Sequence, residues 1–243
     1  MSSLLTRAVI LAAGRGTRMR ELTNELPKPM IPVRGKPILQ HIIEGLTAAG
    51  IRQFLLVVGW RADAVKEALG DGSPFGISIE YATQVQQDGT GKVLELARDF
   101  VGEEPFVLSY GDIIIEPSNY RLLTTLPDET AAVVSVKKSD DVSQGGAVFV
   151  NEHFELTDLR EKPQPGESSS PWYNAGVYTF RPSIFSFTAQ LQRSSRGEYE
   201  LTDAIRALAL SGQKVQVVEL TGDWADVRDP EILAELNEAL PNE

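Results

Sequence analysis

The chain has 243 residues, 42% hydrophobic and 23% charged, with a net charge of −11 and no cysteine. That length is ample for a packed core, and the acidic balance argues against broad nucleic-acid or anionic-membrane binding. Disulfides, thiolate nucleophiles and thiolate-held metals are excluded, no apolar run approaches the roughly 20 residues of a membrane span, and MSSLLTRAVIL has the look of a core strand, not a signal peptide, so a cytoplasmic location is expected.

The first element is an apolar run over 7–13, a buried strand that stops at Gly14 and Gly16 in AVILAAGRGTRM. A strand ending in a Gly-rich turn presents backbone N–H groups to phosphate. Between Arg15 and Lys36 stand six basic residues (Arg15, Arg18, Arg20, Lys28, Arg34, Lys36) against two acids, a local excess that marks a candidate anion site. Leu39, Ile42, Ile43 and Leu46 repeat at helical spacing, which predicts a helix over 37–49 ended by Gly50. A buried strand at 53–59, a helix at 61–69 stopped by Gly70, a strand at 77–82, a helix at 90–100 and a strand at 105–112 running into a turn follow. Apolar strands separated by helices predict an α/β fold with a mainly parallel sheet covered on both faces.

After about residue 130 the spacing tightens. Strands are predicted at 130–138, 145–151, 154–162 and 172–180, with Asn151-Glu152-His153 as one turn, then a helix over 200–211 stopped by Gly212 and a strand at 214–220. A last helix covers 230–240, with Asp229 as N-cap and Pro230 at the first helical position. PQPGESSSP (163–171) reads as a surface loop, with a substrate lid as the alternative. The chain shows no internal or hexapeptide repeat and no linker, so one domain over 1–243 is expected.

The glycine loop does not fit two common patterns. The dinucleotide fingerprint G-x-G-x-x-G has Met19 where its third glycine belongs, and positions 30–40 hold no acid for a ribose. The kinase-type P-loop needs Gly-Lys-Ser/Thr, which is missing here. A second basic segment does follow, LPKPMIPVRGKPIL (26–39), in which two prolines hold Lys28 extended, so that it can meet a phosphate as a point charge.

LAAGRGTRM and LPKPMIPVRGKPIL together resemble the signature of the sugar-1-phosphate nucleotidylyltransferases. The likeness runs on through Gln84, DGTGKVLELA (88–97), YGD (110–112), REKP (160–163), WYNAGVY (172–178), EYELTDAI (198–205) and GDWADVRDPEIL (222–233), nearly the whole chain. It implies a Rossmann-like nucleotidyltransferase fold with a smaller mixed sugar-binding part. Residues 1–130 would form mainly the nucleotide half and 131–243 the sugar half. The implied reaction joins an NTP to a sugar 1-phosphate, giving NDP-sugar and pyrophosphate with Mg²⁺ as cofactor. Bringing two polyanions together is the obstacle, so catalysis is mostly positioning and charge neutralisation. A phosphate monoester is already ionised near neutral pH, and neither His41 nor His153 is assigned to chemistry.

By the resemblance, Leu11, Ala12, Ala13, Gly14, Arg15, Gly16 and Thr17 cradle the nucleotide, Arg18 holds the leaving pyrophosphate, and Lys28 bridges the α-phosphate and the sugar phosphate. Asp112, after a buried strand, and Asp226, in WAD, would hold Mg²⁺ against both phosphates. Gln84 reads the base, with Gly89, Thr90, Tyr110 and Gly111 around the nucleoside, and an amide suits uracil or thymine. Gly146, Glu161, Lys162 and Asn174 take the sugar and its phosphate. The chain departs from the family pattern at Lys92 and at Val227-Arg228-Asp229, where a hydrophobic-Gly-Thr run is usual. A cytidylyltransferase for a phosphorylated alcohol such as phosphocholine, and a non-catalytic nucleotide-sugar-binding paralogue, stay open as alternatives. With no hexapeptide repeat, a bifunctional form carrying a left-handed β-helix is not expected. Base, sugar and any homo-oligomer stay open too.

Overall fold

The structure, a computed structural model, describes residues 2–238. Among them nine strands form one sheet: β1 (Arg7–Ala12), β2 (Gln53–Val58), β3 (Ser78–Thr83), β4 (Phe106–Tyr110), β5 (Thr130–Lys138), β6 (Gly146–Val150), β7 (Leu156–Glu161), β8 (Trp172–Phe180) and β9 (Lys214–Glu219). Their order is β7-β6-β8-β4-β1-β2-β3, and β5 pairs with β8 and β9. β4, β1, β2 and β3 run parallel. β8 is the joint between the halves: its end (Val177–Phe180) pairs antiparallel with β4, while its start (Trp172, Tyr173) pairs with β6.

The parallel block follows from sequences that are apolar on both faces. In β1, Ala8 and Ile10 enter one core cluster and Val9 the other; in β2, Phe54, Leu56 and Val58 face one way and Leu55 and Val57 the other. Strand side chains alternate, so each strand feeds two cores and helices must cover both faces. Helices α1 (Ile38–Ala48) and α2 (Ala62–Leu69) pack on the first face, and α3 (Thr90–Leu94) and α4 (Leu201–Leu210) on the second. Met19, the residue that breaks the dinucleotide pattern, is fully buried in the first core.

Several boundaries differ from expectation. The helix predicted over 90–100 divides into α3, a 3₁₀ turn at Glu95–Ala97 and a short helix at Arg98–Val101. Val93, Leu94, Ala97 and Val101 are all buried across it, so the apolar period survives although the hydrogen-bonding type changes. The strand predicted over 105–112 stops at Tyr110, and a three-residue strand, Ile113–Ile115, follows the turn. β7 starts only at Leu156 because Phe154 is left-handed, at φ 58°. The last helix, α5 (Pro230–Glu238), has its N-cap as expected, with Asp229 Oδ1 accepting the Ile232 N–H at 3.0 Å; residues 239–240 of that prediction lie outside the described residues.

Candidate active site

The carboxyl ends of β1 and β4 define the site. After β1 the chain turns through Gly14–Thr17. Gly16 has φ 68°, and a Cβ on it would stand 2.8 Å from Lys28 Cβ, so the glycine lets Lys28 lie directly on the loop. Pro27, extended at ψ 147°, leads into a 3₁₀ turn over Lys28–Met30. Lys28 is buried, and its Nζ donates to Asp112 Oδ2 at 2.6 Å. Gly111 places Asp112 against β1: its N–H donates to the Leu11 carbonyl at 2.9 Å, and a Cβ would meet that same oxygen at 2.9 Å.

The second acid arrives on a ribbon that the period of the sequence does not announce. Trp224–Asp226 pairs antiparallel with Ile113–Ile115, setting Asp226 opposite Ile113, and the Val227 N–H donates to the Asp112 carbonyl at 2.9 Å. Burial pushes the Asp226 carboxyl up to about 6, the Asp112 charge adds to that, and Lys28, Arg228 and Arg18 oppose it. A buried carboxyl whose proton affinity is raised by burial and by a neighbouring carboxylate marks a place where a cation is stabilised. Among the described residues no cluster of three or more His, Cys, Asp or Glu side chains offers itself to a metal. Two carboxylates fit Mg²⁺, which keeps waters and takes phosphate oxygens for its remaining positions. In the departure from the family run, Val227 is fully buried, Arg228 lines the cleft and Asp229 caps α5.

The basic excess divides on folding. Arg18 and Lys28 line the cleft. Arg15 lies over the Trp60 ring at 5.8 Å and its side chain is not part of the lining. Lys36 pairs with Glu44 at 2.8 Å, and Arg34 donates to the Leu236 carbonyl on α5 at 3.1 Å. His41 meets the Val33 carbonyl at 2.7 Å, a structural contact.

The far wall comes from β6, β7 and β8. Gly146 stands opposite Glu161 in register, and a Cβ on Gly146 would meet Asn174 Cβ at 3.0 Å. Asn174 is buried; its Nδ2 donates to Tyr178 Oη at 2.6 Å, while its Oδ1 has no partner. Glu161 accepts from Thr202 at 3.2 Å and from Arg196 at 3.4 Å. Burial raises its carboxyl above the usual range, and the Glu200 charge adds to this. Lys162 is left-handed at φ 41°, its N–H donating to the Gly145 carbonyl at 2.6 Å. Gly145, Gly146, Glu161, Lys162, Asn174, Arg196 and Glu200 line a cleft of about 420 Å³ with Gly14, Gly16, Thr17, Arg18, Lys28, Asp112 and Asp226.

A second cavity, about 390 Å³, is lined by Leu11, Ala12, Ala13, Gln84, Gly89 and Gly111 and shares Gly14, Lys28, Thr90, Tyr110, Asp112 and Glu198 with the first. Gln84 Nε2 donates to the Gln86 carbonyl at 2.8 Å. Sequence reasoning missed Gln87, Pro29 and Val93 here, and Gln144, Tyr173, Arg196, Glu198, Glu200 and Arg228 in the larger cleft. Glu198 and Glu200 stand in the EYELTDAI stretch and Arg228 in the flagged departure, so both segments carried a signal without a role.

Residues 7–243 match the family described as Nucleotidyl transferase. The chain is 34% identical to the UTP–glucose-1-phosphate uridylyltransferase AglF of Haloferax volcanii, across 98% of this chain and 97% of that protein. It is 37% identical to the bifunctional protein GlmU of Methanocaldococcus jannaschii, across 96% of this chain and 54% of that one. The chain spans about half to two thirds of the length of several curated relatives it matches. In fold it is similar to a crystal structure of UDP-glucose pyrophosphorylase complexed with UDP-glucose, with a TM-score of 0.86 at 23% identity, covering 97% of this chain and 98% of that one.

Proposed function

The chain belongs to the nucleotidyl transferase family, and from that premise we propose that it transfers a nucleotidyl group from UTP or dTTP to a sugar 1-phosphate, releasing pyrophosphate. Glucose and N-acetylhexosamine phosphates are the first acceptors to try. The observation that carries this reading is the seam between the two cavities, where Lys28 and Asp112 line both and Arg18 and Asp226 line the larger.

The smaller cavity takes the nucleoside, with Gln84 toward the base and Gly89 and Thr90 beside it. The Gly14–Thr17 loop and Arg18 hold the triphosphate and neutralise the departing pyrophosphate. The sugar sits against Gly146, Glu161 and Asn174, with Glu161 and Asn174 as hydrogen-bonding partners for its hydroxyls; Lys162 holds its phosphate. Lys28 leaves Asp112 to bridge the two phosphates, where charge builds as the acceptor oxygen attacks the α-phosphorus. Asp112 and Asp226 would hold Mg²⁺, which when bound supplies Lewis-acid charge stabilisation at the phosphates. The halves 1–130 and 131–243 thus divide the substrates between them, with Asp226 crossing over, inside one domain. No described helix is long and apolar enough to cross a membrane, and a cytoplasmic location suits these substrates.

Incubation with Mg²⁺, UTP or dTTP and a panel of sugar 1-phosphates should release pyrophosphate. Silence with every pair would refute the proposal.

A further inference from the structure

Lys92, the other departure from the family pattern, lines neither cavity. Its Nζ lies over the Tyr199 ring at 5.1 Å from the centroid, and the Arg193 guanidinium lies over the same ring at 5.4 Å. The backbone of Tyr199 is hooked to the nucleoside pocket. Its N–H donates to the Asp88 carbonyl at 2.8 Å, and its carbonyl accepts the Gly91 N–H at 2.8 Å. Next to it, the Leu201 N–H donates to Thr90 Oγ1 at 3.2 Å. The fit is tight enough that a Cβ on Gly89 would stand 2.4 Å from the Tyr199 carbonyl oxygen.

The segment hooked in this way also builds the other side of the cleft. Glu198 lines both cavities. Arg196 Nη1 lies 3.4 Å from Glu161 and 3.3 Å from Glu200. Arg196 sits on a tight turn closed by two backbone bonds of 2.8 Å, Ser194 N–H to the Glu198 carbonyl and Gly197 N–H to the Ser194 carbonyl. Arg193 is the residue at the base of that turn. A turn closed on itself moves as a unit, so whatever fixes its base aims its tip. The backbone hooks fix one limb, after Glu198; on the other limb, Arg193 contacts the Tyr199 ring that Lys92 also meets.

Resting on the sugar-phosphate reading above, we infer that Lys92 and Arg193 are positioning residues. Acting through the Tyr199 ring, they aim the Arg196 turn at Glu161 and so tune binding on the sugar side from the edge of the nucleoside pocket. Lys92 is half-buried and Arg193 exposed, both outside the hydrophobic core, so a KM change at constant melting temperature separates positioning from a merely structural role.

Steady-state kinetics test this, with UTP and glucose 1-phosphate as the first pair and otherwise the pair that releases pyrophosphate fastest. Lys92→Ala and Arg193→Ala should each raise KM for the sugar 1-phosphate by about two- to fivefold, the loss expected for one cation–π contact. The KM for the nucleotide and kcat should stay within about twofold of wild type, and the melting temperature should hold. Lys92→Arg and Tyr199→Phe, which keep a cation and a ring, should behave as wild type, while Tyr199→Leu should match the double alanine variant. An unchanged sugar-phosphate KM in both alanine variants overturns the inference, as does Lys92→Arg behaving like Lys92→Ala. A wild-type protein that releases no pyrophosphate with any pair instead refutes the transferase reading, and this inference falls with it.

Discussion

Lys28 and Asp112 neutralise each other at 2.6 Å at the seam of two cavities that would receive highly charged substrates. Their contact keeps a buried ammonium satisfied, and in the proposed mechanism a phosphate would take the place of the carboxylate. Lys28→Ala and Asp112→Ala should each lower turnover by at least about 100-fold, the scale of one lost charge-stabilising group, with circular dichroism unchanged; near-normal rates would remove both from the mechanism. Glu161 shows the opposite balance. Burial holds its carboxyl above the usual range, so ionising it costs the folded state more than the unfolded one, and stability falls as pH rises from the ordinary carboxylate value to the raised one. Glu161→Gln should therefore melt no lower than wild type at pH 7.5, with any gain vanishing near pH 4, while sugar-phosphate turnover is lost. A Glu161→Gln protein that melts well below wild type at pH 7.5 would contradict this. Lys28 was legible because two flanking prolines made a lysine conspicuous. Arg15 and Arg18 look alike in the same loop, and only their packing separates an arginine over Trp60 from one in the cleft.

At the scale of elements, the Gly-rich turn is held from beneath. Gly16→Ala would combine a positive φ, a strain of about 1–2 kcal/mol, with a Cβ 2.8 Å from Lys28 Cβ. Lys28 must then move, so kcat should drop at least about tenfold, while the melting temperature falls by only a few degrees; unaltered kcat would mean that the loop does not seat Lys28. The long periodic elements were readable one by one: α1 from its spacing of Leu39, Ile42, Ile43 and Leu46, and β1 and β2 from continuous apolar runs. The ribbon of Ile113–Ile115 and Trp224–Asp226 was not. Three residues are too few to show a period, and each strand exists only because the other is there. The resemblance named Asp226 as a ligand; the ribbon is what carries it to Asp112.

Across the whole molecule, one sheet passes from the parallel block to the antiparallel one through β8. Neither half has a complete sheet without the other. Calorimetry should show one unfolding transition, and two separable transitions would contradict a single domain. A substrate that bridges both halves should raise that transition. Saturation at 100 times Kd adds about 2.7 kcal/mol, roughly 5–10 °C for a chain of this size, and this shift should shrink in Asp226→Asn when Mg²⁺ and nucleotide are added together.

Taken alone, the sequence determined the α/β alternation and the Gly-rich turn with its basic neighbours, because periodicity and short motifs are local properties of a chain; the class of chemistry came through the likeness of those motifs to a known family. The sequence also determined, by Met19 and the missing Gly-Lys-Ser/Thr, which phosphate loops this one is not. Only the tertiary structure decided which of the basic residues face the cleft, that Asn174 keeps a buried, unpartnered acceptor, and that Arg196, Glu198 and Glu200 join Glu161 at its wall. Those outcomes depend on segments far apart in sequence being brought to one place, where burial and neighbouring charge set what each side chain does.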